Sequence, residues 1–232
     1  MGYLLYGGYD GIFLLIGIVV VAISLYSSMK VQNTFNKYAK LRTLSGYSGE
    51  EAARRILMMN NINIPIKPIR GSMTDFYDPI KKELALSQTV YGANSISALG
   101  VAAHEVGHAI QDANDYAFLR LRHKIYPVTS FASRLSMPLV VLGFISTIPV
   151  FLQIGIIFFA FTTLFALVTL PVEFDASKRA LASLETSGIL GPQELEGAKK
   201  VLNAAALTYV AAAMVSVLSL LRLILMSNRR ND

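Results

Sequence analysis

Two of the three histidines in this chain stand four residues apart, with a glutamate directly after the first: His104-Glu105-Val106-Gly107-His108. On an α-helix, positions i and i+4 share a face, so both imidazoles can point at one ion while Glu105 reaches a water bound to it. That is the arrangement of a zinc hydrolase, in which zinc lowers the pKa of the water and the glutamate takes its proton. A catalytic zinc usually has three protein ligands and keeps one position open, so two histidines leave the set one ligand short.

The remaining histidine, His123, sits among Arg120, Arg122 and Lys124, a setting that suits a solvated or headgroup-facing side chain. Glu173 is the better third ligand, in Pro171-Val172-Glu173-Phe174-Asp175-Ala176-Ser177. It follows a long apolar stretch, and carboxylates that close to a membrane span are uncommon unless paired or functional. An acidic first helical turn would also account for it. Asp175 is the rival carboxylate, turned from the face of Glu173 by its two-residue offset, whereas Ser177 shares that face and can hold a histidine ring. Tyr209, polar within an Ala-rich segment, is a candidate oxyanion partner, although a tyrosine at a membrane interface needs no such role.

The elements that position these groups are read from composition and pattern. The chain has 232 residues, 53% of them hydrophobic, and long uncharged runs unlike those of a soluble domain. Gly11 to Met29 is one span; Leu135 to Leu170 is long enough for two, with a break expected at Pro149 to Gly155; Asn203 to Met226 is the last. This gives about four transmembrane helices in a mainly α, multi-pass membrane protein. A cleaved signal peptide fits the first run poorly, because no Lys or Arg precedes it and Ser-Leu-Tyr-Ser-Ser is a poor cleavage site.

Asp10 before the first span, against Lys30, Lys37, Lys40 and Arg42 after it, places the following segment in the cytoplasm. Arg229 and Arg230 then end outside, a conflict that four spans impose. The net charge of +6 flanks the spans and has no aromatic-interleaved face, so lipid headgroups explain it better than nucleic acid. There is no cysteine, which excludes disulfides and thiolate ligands.

Between the spans, Ser48-Gly49-Glu50-Glu51 has the form of a capping box and opens a helix to Asn60-Asn61. Ile62 to Ile69, interrupted by Pro65 and Pro68, reads as an edge or irregular strand, and Glu83 to Ser87 as a second strand, together a small hairpin or sheet. Asn94 or Ser95 caps the motif helix, which runs to about Asp112. The organisation expected is residues 1–29 with the first span, a cytoplasmic catalytic region at 30–134, a transmembrane hairpin at 135–170, a second catalytic segment at 171–202 carrying the third ligand, and the last span at 203–232.

Several runs together resemble the YugP-type membrane zinc metallopeptidases of bacteria. They are Asp75-Phe76-Tyr77-Asp78-Pro79, Leu86-Ser87, Val90-Tyr91, Ala98 to Gln111, Pro171 to Ser177 and Leu202 to Tyr209. The resemblance covers nearly the whole chain. It implies a zincin-like catalytic part with Zn2+ held by His104, His108 and Glu173, Glu105 as general base, and a protein or peptide substrate in or near the bilayer, with any adaptor proteins unidentified. More distantly the chain is similar to the HtpX-type and CaaX-prenyl-type proteases, in which a Glu-x-x-x-Asp segment adds an aspartate behind the metal. Ser177 stands at that position here, so either Ser177 or Asp175 takes over its task. In such proteases substrate backbone pairs with an edge strand beside the metal helix, for which Glu83 to Ser87 is the candidate.

A non-catalytic zinc-binding scaffold is the first competing reading, and the intact Glu105 speaks against it. A transporter is the second, weakened because the His and Glu residues lie outside the expected spans.

Overall fold

The computed structural model describes residues 2–146 and 148–231. Its elements are α1 (Gly2–Ala39), α2 (Gly49–Met59), β1 (Ile66–Ile69), β2 (Phe76–Asp78), β3 (Glu83–Ser87), α3 (Gln88–Tyr91), α4 (Ile96–Ala113), α5 (Ala117–Ile145), α6 (Pro149–Ser187) and α7 (Pro192–Asn231). The chain is thus mainly α with one small sheet. Phe13–Ala39, Ala117–Ile145, Pro149–Ser187 and Pro192–Asn228 are long and apolar enough to cross a membrane.

The break between the second and third of these helices falls earlier than the expected Pro149 to Gly155. Helix α5 ends at Ile145 and α6 begins at Pro149, so Gln153 and Gly155 lie inside α6. Proline is favourable at a helix start, where its absent N–H leaves no bond unmade. Gly155 serves packing instead: a Cβ there would come within 2.8 Å of the Val140 backbone nitrogen on α5. Helix α6 also passes through Pro171 without interruption.

The residues form two compact units. One comprises the chain up to Ser28, Leu121–Leu170 and the chain from Thr208. Large apolar side chains such as Leu14, Leu15, Ile18 and Leu25 are exposed on it, as expected of helices that meet lipid rather than water. Thr163 and Ser216 share a hydrogen bond of 2.8 Å that joins α6 to α7 there, and Gly17 on α1 leaves room for the Arg222 guanidinium.

The other unit comprises Met29–Arg120 and Pro171–Leu207. Its core has α4 at the centre, with Leu99, Ala102, Ala103 and Val106 fully buried. Around them lie Ala53 and Ile56 of α2, Leu84 and Leu86 of β3, Leu184 of α6 and Leu202 of α7. Each such buried Leu or Ile stabilises by about 1.5–3 kcal/mol relative to exposure. Local signals set the helix starts. Ser48 accepts from Glu51 N and Glu51 accepts from Ser48 N, completing the capping box of α2, and Ser95 accepts from Ala98 N at the start of α4.

The sheet has order β1-β3-β2, with β1 parallel and β2 antiparallel to β3. This corrects the assignment of Glu83 to Ser87 as an edge strand. It is the central strand, Leu84 opposite both Ile66 and Tyr77, and its outer positions are taken by β1 and β2. The reason is visible in its composition: Leu84-Ala85-Leu86 is an unbroken apolar run, buried on both faces, whereas an edge strand alternates.

Candidate metal centre

Helix α4 presents His104 and His108 on one face, and α6 brings Glu173 against them. Glu173 Oε2 lies 3.2 Å from His104 Nε2 and 3.5 Å from His108 Nε2. All three groups are buried, and one donor atom from each falls within 4.8 Å of the others, a set able to hold a metal ion. This close approach of α4 to α6 depends on Gly107, where a Cβ would sit 2.4 Å from the carbonyl oxygen of Ala176.

The opposite nitrogen of each ring is held from behind. His104 Nδ1 faces Ser177 Oγ at 3.2 Å, and His108 Nδ1 faces Gln111 Oε1 at 3.0 Å. The orientation of the Gln111 amide is unambiguous, because its Nε2 donates to two acceptors, Val172 O at 2.7 Å and Asp175 Oδ2 at 2.8 Å. Its Oε1 therefore requires a proton on His108 Nδ1, which leaves a lone pair on His108 Nε2. That lone pair faces a carboxylate oxygen in a buried space, a repulsive contact unless a cation lies between or the ring is protonated. Two imidazoles and a carboxylate are a donor set that zinc accepts, and tetrahedral bonds of about 2.0–2.1 Å give ligand-to-ligand edges of about 3.3–3.4 Å. The two edges to Glu173, 3.2 and 3.5 Å, bracket that value, and the three donor atoms together lie within 4.8 Å of one another.

Glu105, one residue after His104, is fixed by the backbone N–H of Tyr77 on β2, which donates to its Oε2 at 3.1 Å. Burial pushes its carboxyl up to about 7; the charges of Glu173 and Asp75 add to this, while His104 and the Tyr77 N–H oppose it. Asp75 is itself raised by burial, against hydrogen bonds from Ser87 N and Oγ. The Tyr77 hydroxyl donates to Asp112 Oδ2 at 2.6 Å, and Lys82 pairs with the same carboxylate. Tyr77 therefore grips α4 at two points about two turns apart.

Of the residues singled out from sequence, His104, His108, Glu105 and Glu173 come together. Ser177 and Asp175 both stand behind the histidines, Ser177 on His104 directly and Asp175 on His108 through Gln111; Asp175 also pairs with Arg179 at 2.5 Å. His123 is on α5 and takes no part in the cluster, and Tyr209 belongs to the unit that contains the apolar spans. Gln111 and Tyr77 were not singled out. Gln111 had a signal, since it lies three residues after His108 on the same helical face.

A helical chain with four candidate spans and a buried His-His-Glu cluster next to a motif glutamate belongs to a metallopeptidase class. The sequence profile of the family described as "Putative neutral zinc metallopeptidase" matches residues 13–228, and the chain belongs to that family. It is 45% identical over 215 residues to a Bacillus subtilis (strain 168) protein named "Putative membrane protease YugP", covering 92% of this chain and 96% of that one. No solved structure matches the chain.

Proposed function

We infer that the chain is a zinc-dependent endopeptidase of the bacterial cell membrane that hydrolyses peptide bonds of membrane or membrane-proximal proteins, with its site on the cytoplasmic side. The observation that carries this reading is the convergence of His104 Nε2, His108 Nε2 and Glu173 Oε2 beside a buried glutamate on the same helix. Those three residues would hold zinc, which when bound lowers the pKa of water and polarises a carbonyl. The basic residues that follow the first span support the cytoplasmic side.

Glu105 is the general base. Its Oε2 is engaged by the Tyr77 N–H, so Oε1 takes the proton of the attacking water and then delivers it to the amine nitrogen as the C–N bond breaks. A carboxyl near 7 is poised for both transfers. Ser177 and Gln111 accept the Nδ1 protons of His104 and His108 and so keep both Nε2 lone pairs directed at the ion.

The test is zinc content and cleavage of unfolded casein by full-length protein in detergent. Zinc near one per chain is expected, with cleavage lost on chelation and restored by one equivalent of zinc. Purified protein that neither contains nor takes up zinc would overturn the reading. A second measurement addresses Gln111. Gln111→Met removes the acceptor of His108 Nδ1 while keeping volume, and zinc affinity, measured by competition with a chelator, should fall about 10–100-fold.

A further inference from the structure

Strand β2 is three residues long, yet it supplies the Tyr77 N–H that holds Glu105, the base of the proposed reaction. Where that N–H points is a matter of register. Leu84 N donates to Pro65 O beside β1, so by the alternation of a strand the N–H groups of Ala85 and Ser87 face β2. Phe76 and Asp78 stand opposite Ala85 and Glu83 and turn their own main-chain groups toward β3, which leaves the Tyr77 N–H directed at α4. A slip of one residue reverses this arrangement: the Tyr77 N–H enters the sheet, its hydroxyl leaves Asp112, and Glu105 loses its donor. A ladder of three residues has few bonds with which to oppose such a slip.

We propose that Asp75 is a positioning residue for Glu105: its carboxylate locks the register of β2 and so aims the Tyr77 N–H at the base. Pairing with β3 ends at Phe76, and the next donor on that side of β3, the Ser87 N–H, goes to a side chain instead of to main chain. Ser87 N donates to Asp75 Oδ1 at 2.6 Å and Ser87 Oγ to Asp75 Oδ2 at 3.0 Å, two bonds that together admit one placement of the carboxylate. Ser87 is fully buried where β3 passes into α3, so the clamp refers β2 to the core of its unit. The segment that joins β1 to β2 crosses the end of β3 at this point, and Thr89 Oγ1, 3.1 Å from Ser87 Oγ, donates to Ser72 Oγ at 3.3 Å. The far end of β2 is fixed separately, where Asp78 Oδ1 accepts from Ile80 N at 2.9 Å and Lys81 N at 3.0 Å. Asp75 thus acts through Ser87 and Tyr77 and not on the reacting atoms. The inference rests on the peptidase reading, to which it adds a residue that neither holds the metal nor moves the proton.

The experiment separates reach from charge. Asp75→Asn keeps the reach, because its amide oxygen accepts from Ser87 N and its amide nitrogen donates to Ser87 Oγ, which turns its proton to Thr89 Oγ1. Asp75→Glu keeps the charge but is longer by one methylene, about 1.5 Å. Full-length variants in detergent are measured for zinc content, for hydrogen exchange of the Tyr77 amide, and for kcat and KM on casein. Zinc should stay at about one per chain in both. Asp75→Asn should leave Tyr77 exchange and kcat within about threefold of wild type. Asp75→Glu should speed Tyr77 exchange at least about tenfold and lower kcat at least about tenfold with KM within about twofold, since a misplacement near 1 Å costs up to about 10²-fold. Combined with Glu105→Gln, Asp75→Glu should change the residual rate by less than about twofold, as residues that act as a unit do. Wild-type exchange and kcat in Asp75→Glu, loss of both in Asp75→Asn, or a full additional loss in the double variant would each overturn the proposal. A wild-type chain that cleaves no casein would count against the peptidase reading, whereas the clamp is judged by Tyr77 exchange, which needs no turnover.

Discussion

Glu105→Gln should leave zinc at about one per chain and reduce casein cleavage by at least about 10²–10⁴-fold, the range supplied by a positioned general base. The substitution is isosteric and keeps an oxygen to accept the Tyr77 N–H, so the 3.1 Å link between β2 and α4 survives. What is lost is a proton acceptor whose affinity burial has raised to about 7. Metal analysis and initial rates on the same preparation separate the two effects. Zinc retained with cleavage within tenfold of wild type would remove Glu105 from its role, and loss of zinc would mean that Glu105 supports the ligands rather than the proton transfer.

The second large effect is expected at a residue that touches neither metal nor substrate. Gly107→Ala places a Cβ 2.4 Å from the Ala176 carbonyl oxygen and 3.0 Å from its carbon, both backbone atoms of α6 that cannot swing aside. Relief needs about 1 Å of separation between α4 and α6, whereas metal sites tolerate ligand displacements of about 0.2 Å. Helix propensity favours alanine by about 1 kcal/mol, but overpacking costs about 1–3 kcal/mol or more. The thermal midpoint should therefore drop, and zinc affinity should fall by more than the loss of Gln111 causes. Gly92→Ala is the control, with nothing within 4 Å of its Cβ and an ordinary φ of −98°. Equal behaviour of the two variants would refute the argument.

The parts of this structure that were legible in sequence are those that local chemistry decides. The capping box at Ser48 and Glu51 forms with both its bonds, Ser95 caps the motif helix, and the i, i+4 histidines share a face. Strand β2 was not legible, because three residues are too few to establish an alternating pattern, and without it the central place of Glu83 to Ser87 could not be inferred. The task of Gln111 was hidden for a different reason. Its partners Val172 and Asp175 lie 61 and 64 residues away, and only the packing of α4 on α6 brings them to its amide. The choice between Ser177 and Asp175 dissolves for the same cause: a pattern read along one helix does not reveal that each residue serves a different ring of the other.

The unit that holds the cluster is discontinuous in the chain, Met29–Arg120 followed by Pro171–Leu207. During synthesis His108 is made well before Glu173, and at about 5–20 residues per second roughly 3–13 s separate them. All of α5 and the apolar first part of α6 are made in that interval. Until then α4 has two histidines and a glutamate but no third ligand, and Ala180, Leu184, Val201 and Leu202 are absent from its core. The nascent chain cannot assemble the His-His-Glu set before its middle helices have been made, so the order of synthesis itself delays completion of the site.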